Sequence, residues 1–164
     1  MKRNPSKFLF VTYCLILTWV ILLKMASSLE DLRFLMVGRV INLVPLDYGV
    51  PIGIPQIREA ALNTMLFLPM GIYLKMFGFS WIKSVFLGFG ISLGFEVCQY
   101  ILAIGVSDIT DLMTNTLGAA LGAGFYWLLR KLCSKEKADR IINNAASAVL
   151  LISALLILVL TLAN

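Results

Sequence analysis

The sequence predicts an all-α protein, a transmembrane bundle of about five helices with the N-terminus inside and the C-terminus outside. Composition is the first reason. The chain has 164 residues, 60% of them hydrophobic and only 14% charged, where soluble chains carry about 25% charged residues. Its mean hydropathy is +0.90. The second reason is the length of its apolar runs, since a helix needs about 20 residues to cross the hydrocarbon core. The third is the placing of Lys and Arg, which flank those runs in the uneven distribution that sets topology. Residues 1–164 read as one membrane domain.

The first element is the apolar run 8–23, preceded by the basic stretch MKRNPSK. Ala26, Ser27 and Ser28 follow it as in a cleavage site, but the run exceeds the core of a signal peptide, usually about 7–15 residues. It reads as an uncleaved span. Residues 25–59 are the least membrane-like, interrupted by Glu30, Asp31, Arg33, Arg39, Asp47, Arg58 and Glu59, and by Pro45, Pro51 and Pro55. Within them, 32–46 is apolar apart from Arg33 and Arg39 and too short to cross. An interfacial or re-entrant segment and an ordinary loop both fit it.

A second span covers 60–77, where Pro69 removes a backbone hydrogen bond and predicts a kink beside Gly71. A third covers 81–104. A fourth covers 109–129, with Ser107 and Asp108 as N-cap residues. A basic loop with Arg130, Lys131, Lys135, Lys137 and Arg140 leads to a fifth span at 145–162. With the N-terminus inside, only Lys24, Arg33, Arg39 and Arg58 of the fourteen basic residues lie outside. The reverse orientation would invert that bias.

The net charge of +5 is spread along the span edges rather than gathered into a patch with exposed aromatics, so nucleic acid is excluded as a partner. The lipid bilayer is the expected partner, and a homo-oligomer is left open. There is no histidine, the commonest general base and zinc ligand. Cys14, Cys98 and Cys133 are scattered without metal or disulfide spacing. They read as packing residues, and no cofactor is expected.

Against this background Glu96, Gln99, Asp108, Asp111 and Asn115 stand out, because a carboxylate at the centre of a spanning helix costs roughly 2.5–3.5 kcal/mol. The topology puts all five near the outer side, with Asn63 at the start of the second span. Asp108, Asp111, Asn115, Gly118 and Gly122 recur at helical spacing, as do Ser84, Gly88, Ser92, Glu96 and Gln99. Polar groups fill the outer half of the first stripe and close-approach glycines the inner half. The expectation is a hairpin whose two stripes face each other.

Each residue also has a plainer reading. Asn115 and Gln99 can serve as interhelical glue, and Asp108 as a helix cap. Gly118 and Gly122 read as packing residues. For the group as a whole two chemistries stay open. Glu96, Asp108, Asp111 and Asn115 offer hard oxygen ligands for a divalent cation. Alternatively Arg39 or Arg58 pairs with the carboxylates and lowers the cost of their burial.

Four blocks in order make the chain resemble the VanZ-like family of small bacterial membrane proteins. They are RVINLVPL (39–46), NTMLFLPMG (63–71), the Glu96 and Gln99 pair, and DITDLMTNTLGAALG (108–122), so that the resemblance covers a core of 39–122. The family pattern falls on Arg39, Asn42, Pro45, Asn63, Phe67, Pro69, Gly71, Glu96, Gln99, Asp108, Asp111, Asn115 and Gly118. Many members carry an arginine just before the first aspartate of the last block, where this chain has Val106 and Ser107. The first and last spans resemble only generic transmembrane helices.

The resemblance implies a multi-pass protein of the bacterial cytoplasmic membrane. It also implies an effect on the cell envelope, the family's founding member being associated with low-level teicoplanin resistance. It implies no known reaction. The leading expectation is an outer-leaflet polar site that binds an envelope lipid or lipid-linked glycan. The rivals are an intramembrane metal-dependent enzyme acting on a phosphorylated lipid and, with less support, a small ion-coupled transporter.

Overall fold

The computed structural model describes residues 5–23, 39–46, 53–104 and 106–163. Five helices account for most of them: α1 (Pro5–Leu23), α2 (Ile54–Met76), α3 (Trp81–Leu102), α4 (Ile109–Leu132) and α5 (Lys135–Ala163). Two short strands, β1 (Val40–Asn42) and β2 (Val106–Asp108), complete the described structure. The fold is all-α in substance. By length and composition α1, α3 and α5 can each cross a membrane. The other two helices are less apolar: α2 contains Arg58, Glu59, Asn63 and Lys75, and α4 contains Asp111, Asn115, Arg130 and Lys131.

The helix ends follow from local chemistry. Pro55 sits in the first turn of α2, where its missing N–H costs nothing, and Gln56 Oε1 accepts from Gly53 N at 3.0 Å. Ser80 caps α3 by accepting from Lys83 N at 3.2 Å. That helix closes on Ala103, which takes the left-handed conformation at φ 56°, with Ile104 N donating back to Gln99 O at 3.1 Å. Asp108 caps α4 through Thr110 N at 2.7 Å, in the role its position predicts. Pro69 lies inside α2 and withholds the N–H that the Met65 carbonyl would accept. One residue along, the Leu66 carbonyl accepts from the α1 hydroxyl of Tyr13 at 2.7 Å.

Helix α4 lies in the cleft between α2 and α3. On the α2 side the backbones nearly touch. A Cβ added at Gly118 would collide with the Thr64 carbonyl, one at Gly122 with the Leu68 carbonyl, and one at Gly71 with the Ala119 carbonyl. On the other side, α3 buries Ser84, Gly88, Ser92, Glu96 and Gln99, the stripe that its spacing predicts. The expected stripe-on-stripe hairpin is corrected, however. Gly118 and Gly122 of α4 face α2, and only part of the α4 stripe meets α3. A stripe that faces a cleft touches both walls, and spacing alone does not say which residue meets which.

Two apolar clusters hold the bundle. Leu9, Ile72, Tyr73, Met76, Tyr126, Ala138 and Ile142 join α1, α2, α4 and α5. Leu17, Ile21, Phe67, Met70 and Leu74 join α1 to α2, with Ile91 and Phe95 of α3 against them.

The basic loop expected before the fifth span is also corrected, because α5 begins at Lys135 rather than at 145. Lys, Glu, Ala and Arg are good helix formers, and the early turns of α5 are tied to the bundle. Tyr126 Oη donates to Asp139 Oδ1 at 2.5 Å, and Asn143 Nδ2 to Ser6 Oγ at 2.9 Å. From Leu151 to Leu162 the helix is exposed on every side. Of the segment 32–46, residues 32–38 lie outside the described residues. Residues 39–46 form β1 and a turn. β1 pairs in parallel with β2, in the register Val40 to Val106, Ile41 to Ser107 and Asn42 to Asp108.

Candidate functional site

The polar residues gather where the end of α3, the start of α4 and the β1–β2 ladder meet. Glu96 Oε2 accepts from the Asp108 backbone N–H at 2.9 Å, and the Ser107 hydroxyl donates to the Glu96 carbonyl at 2.8 Å. Glu96 thereby holds β2 against the last turns of α3. Asp108 divides its carboxylate, with Oδ1 on the Thr110 N–H and Oδ2 accepting from Asn42 Nδ2 at 3.0 Å. Asn42 in turn accepts from Val44 N through Oδ1 at 3.1 Å. A second fastening lies four residues on, where Leu46 N donates to Thr110 Oγ1 at 3.0 Å. Leu46 adopts φ 60°, an unusual conformation for a bulky residue. The result is a clasp that binds residues 39–46 to the α3–α4 turn.

Asp111 points the other way. Its Oδ1 accepts from Asn63 Nδ2 of α2 at 2.7 Å, and just below it the Thr64 hydroxyl reaches the Thr114 carbonyl at 3.2 Å. Asn115 lies one turn deeper on α4, buried, with Nδ2 on Ser92 Oγ at 2.9 Å and Oδ1 without a hydrogen-bond partner among the described residues. Gln99 leaves the group altogether. Buried at the back of α3, it donates to the Ile21 carbonyl in the last turn of α1 at 3.2 Å. Arg39 is exposed with its guanidinium 6.0 Å from the centre of the Tyr100 ring. Arg58 is exposed on α2, and among the described residues neither arginine pairs with a carboxylate.

Beside the clasp is a pocket of about 210 Å³ lined by Ile41, Leu43, Leu93, Val97, Tyr100, Ile109 and Leu112, with Asn42, Glu96, Ser107 and Asp108 at its back. Its exposed wall is almost wholly apolar, because the polar groups are turned into the hydrogen bonds just described. Among the described residues no three acidic or thiol side chains stand together in a way that could hold a metal ion. The expected oxygen-ligand set is split: Asp111 is drawn to α2, Asn115 lies deeper against Ser92, and Glu96 serves a backbone N–H.

The family model for VanZ/LLP1 matches residues 10–130. The chain belongs to the VanZ/LLP1 family. It is 34% identical over 146 residues to Protein VanZ of Enterococcus faecium, covering 87% of this chain and 86% of that protein. No solved structure matches it. The VanZ/LLP1 match takes in most of α1, whose sequence carries no recognisable motif. The structure ties α1 to the back of α3, because Gln99 fastens its end.

Of the residues expected from the sequence and the resemblance, the structure joins Asn42, Glu96 and Asp108 in one network and Asn63 to Asp111 in another. Thr110 and the apolar wall are not among those expected. Thr110 accepts a bond from across the chain, which no spacing rule announces. Leu93, Val97, Ile109 and Leu112 look like any other apolar residues in a spanning helix. Tyr100 carried a usable signal, since tyrosine is enriched at the ends of spanning helices.

Proposed function

We propose that this VanZ/LLP1 protein crosses the bacterial cytoplasmic membrane five times, with the N-terminus inside, and binds an envelope lipid or lipid-linked glycan at its outer-leaflet site. Through that binding it influences susceptibility to teicoplanin-type glycopeptides, the property associated with the family's founding member. The observation that carries this reading is the pocket beside the Glu96–Asp108–Asn42 clasp. An apolar wall next to hydrogen-bonding groups, at the end of the helices, suits an amphiphile held at the membrane interface. The alternating excess of Lys and Arg supports the orientation. The separation of Asp111 and Asn115 from Glu96 leaves the metal-dependent enzyme without a ligand set among the described residues.

The test expresses Glu96→Gln and Asp108→Asn variants at parental levels. Teicoplanin susceptibility should return towards that of cells lacking the protein, and retention of envelope lipids on the purified protein should fall. Unchanged susceptibility together with unchanged lipid retention would sink the reading.

A further inference from the structure

The pocket and its rim differ in chemistry, and that difference says which part of a lipid belongs where. Tyr100, Val97 and Leu93 line the pocket from α3, and Ile109 and Leu112 from α4. From Tyr100 to Leu93 is about 10 Å along a helix axis. The pocket therefore runs inward from the helix end, the direction in which a hydrocarbon chain hangs from a headgroup. The carboxylates and amides behind its wall are occupied in the clasp. Leu93 and Val97 are also open to the outside of the bundle, each more than 40% exposed. The wall is thus continuous with the face of α3, a helix long and apolar enough to span a membrane. A chain can enter sideways from the bilayer. Such a lining welcomes hydrocarbon, as a cavity of about 150 Å³ walled by Leu, Ile and Phe stays dry and takes benzene.

The rim is different. Arg39 begins the described part of the clasped segment, exposed and beside the ring of Tyr100. A guanidinium presents a planar fork of donors that matches phosphate, and an arginine beside a tyrosine at a helix end sits at headgroup depth.

We infer that the pocket takes one hydrocarbon chain of a phosphate-bearing membrane lipid while Arg39 binds that lipid's phosphate. This rests on the lipid-binding reading above and names which chemistry is read: the tail by shape, the head by charge.

The experiment uses the full chain in nanodiscs containing phosphatidylglycerol with a diazirine on its acyl chain, irradiated and mapped by peptide mass. Labelling is expected on 93–100 and 109–112 as well as on the bare outer half of α5, which serves as an internal reference for general lipid contact. Val97→Trp and Leu43→Trp fill the pocket from separate elements, so one misfolded variant does not end the test. Each should abolish the label on 109–112 and spare the α5 label. Arg39→Gln should weaken the pocket label about ten-fold, the worth of one charge-assisted hydrogen bond. Unlabelled phosphatidylglycerol should compete and neutral diacylglycerol should not.

Pocket labelling that follows α5 in every variant would overturn the inference. So would an Arg39→Gln protein labelled like the parent, competition by diacylglycerol, or competition by inorganic phosphate alone. The readout is mass, not susceptibility. If Glu96→Gln and Asp108→Asn leave susceptibility unchanged while the label stays in the pocket, the functional reading falls and the chain-binding assignment stands.

Discussion

The two flanks of α4 are held by different means. Towards α2 the closest contact is backbone on backbone, with Gly71, Gly118 and Gly122 each facing a carbonyl that leaves no room for a Cβ, and Asn63 on Asp111 adds a side-chain bond at one end. Towards α3 the contacts are made by side chains: Asn115 on Ser92, the Ala119 methyl against Gly88, and the Glu96 carboxylate on the N–H of Asp108. Close backbone approach maximises dispersion contact in a solvent that offers no hydrophobic drive between helices. It also fixes the separation of α2 and α4 at those three glycines. The α3 flank is as close at Gly88 and Ala119 but opens beside the clasp into a pocket. The first flank is a joint and the second carries the pocket.

The largest effect should come from breaking the joint. Gly71→Val puts a branched side chain into the Ala119 carbonyl and the backbone beyond it, and overpacking of that kind costs about 3 kcal/mol. Thermal unfolding in detergent should show a large drop or no folded peak at all, and a parental profile would contradict the close approach. A smaller effect is expected on the clasp. Asp108→Ala removes the cap of α4 and the anchor of Asn42, for about 1–2 kcal/mol. Amide hydrogen exchange should quicken at 40–44 and stay slow through the α2–α4 pair, whereas uniform quickening would mean that the clasp is no separate unit.

The smallest effect belongs to Asn115→Leu. Interhelical polar contacts in membranes average about 0.6 kcal/mol, and the variant also removes a buried carbonyl with no partner among the described residues. The melting temperature should move by no more than a few degrees. A large loss would show that Asn115 organises the α3 flank rather than gluing it.

Much of this arrangement is legible in the sequence because helical spacing is a direct geometric record. The α3 stripe from Ser84 to Gln99 is buried as the spacing requires. The cap at Asp108 likewise follows from local chemistry. What spacing does not record is the neighbour. Asp108, Asp111 and Asn115 lie on one stripe yet turn to β1, α2 and α3 in succession, because their helix fills a cleft. The ladder of β1 and β2 is invisible for another reason, being only three residues long on each side and too short for alternation to register. The early start of α5 is missed because hydropathy counts Lys135, Lys137 and Arg140 as loop. It does not see that Ala138 and Ile142 share the buried side of the same turns.

The bare C-terminal half of α5 has a consequence for how this protein tolerates change. From Leu151 to Leu162 no side chain is enclosed by a neighbour, so no particular shape is demanded there, only an average affinity for hydrocarbon. A saturation library should therefore read as a plateau across this stretch, with Leu, Ile, Val, Met and Phe interchangeable and charge alone rejected. At Gly71 or Ala119 the same library should narrow to one or two permitted letters. Drift can accumulate in the tail at no cost to the site.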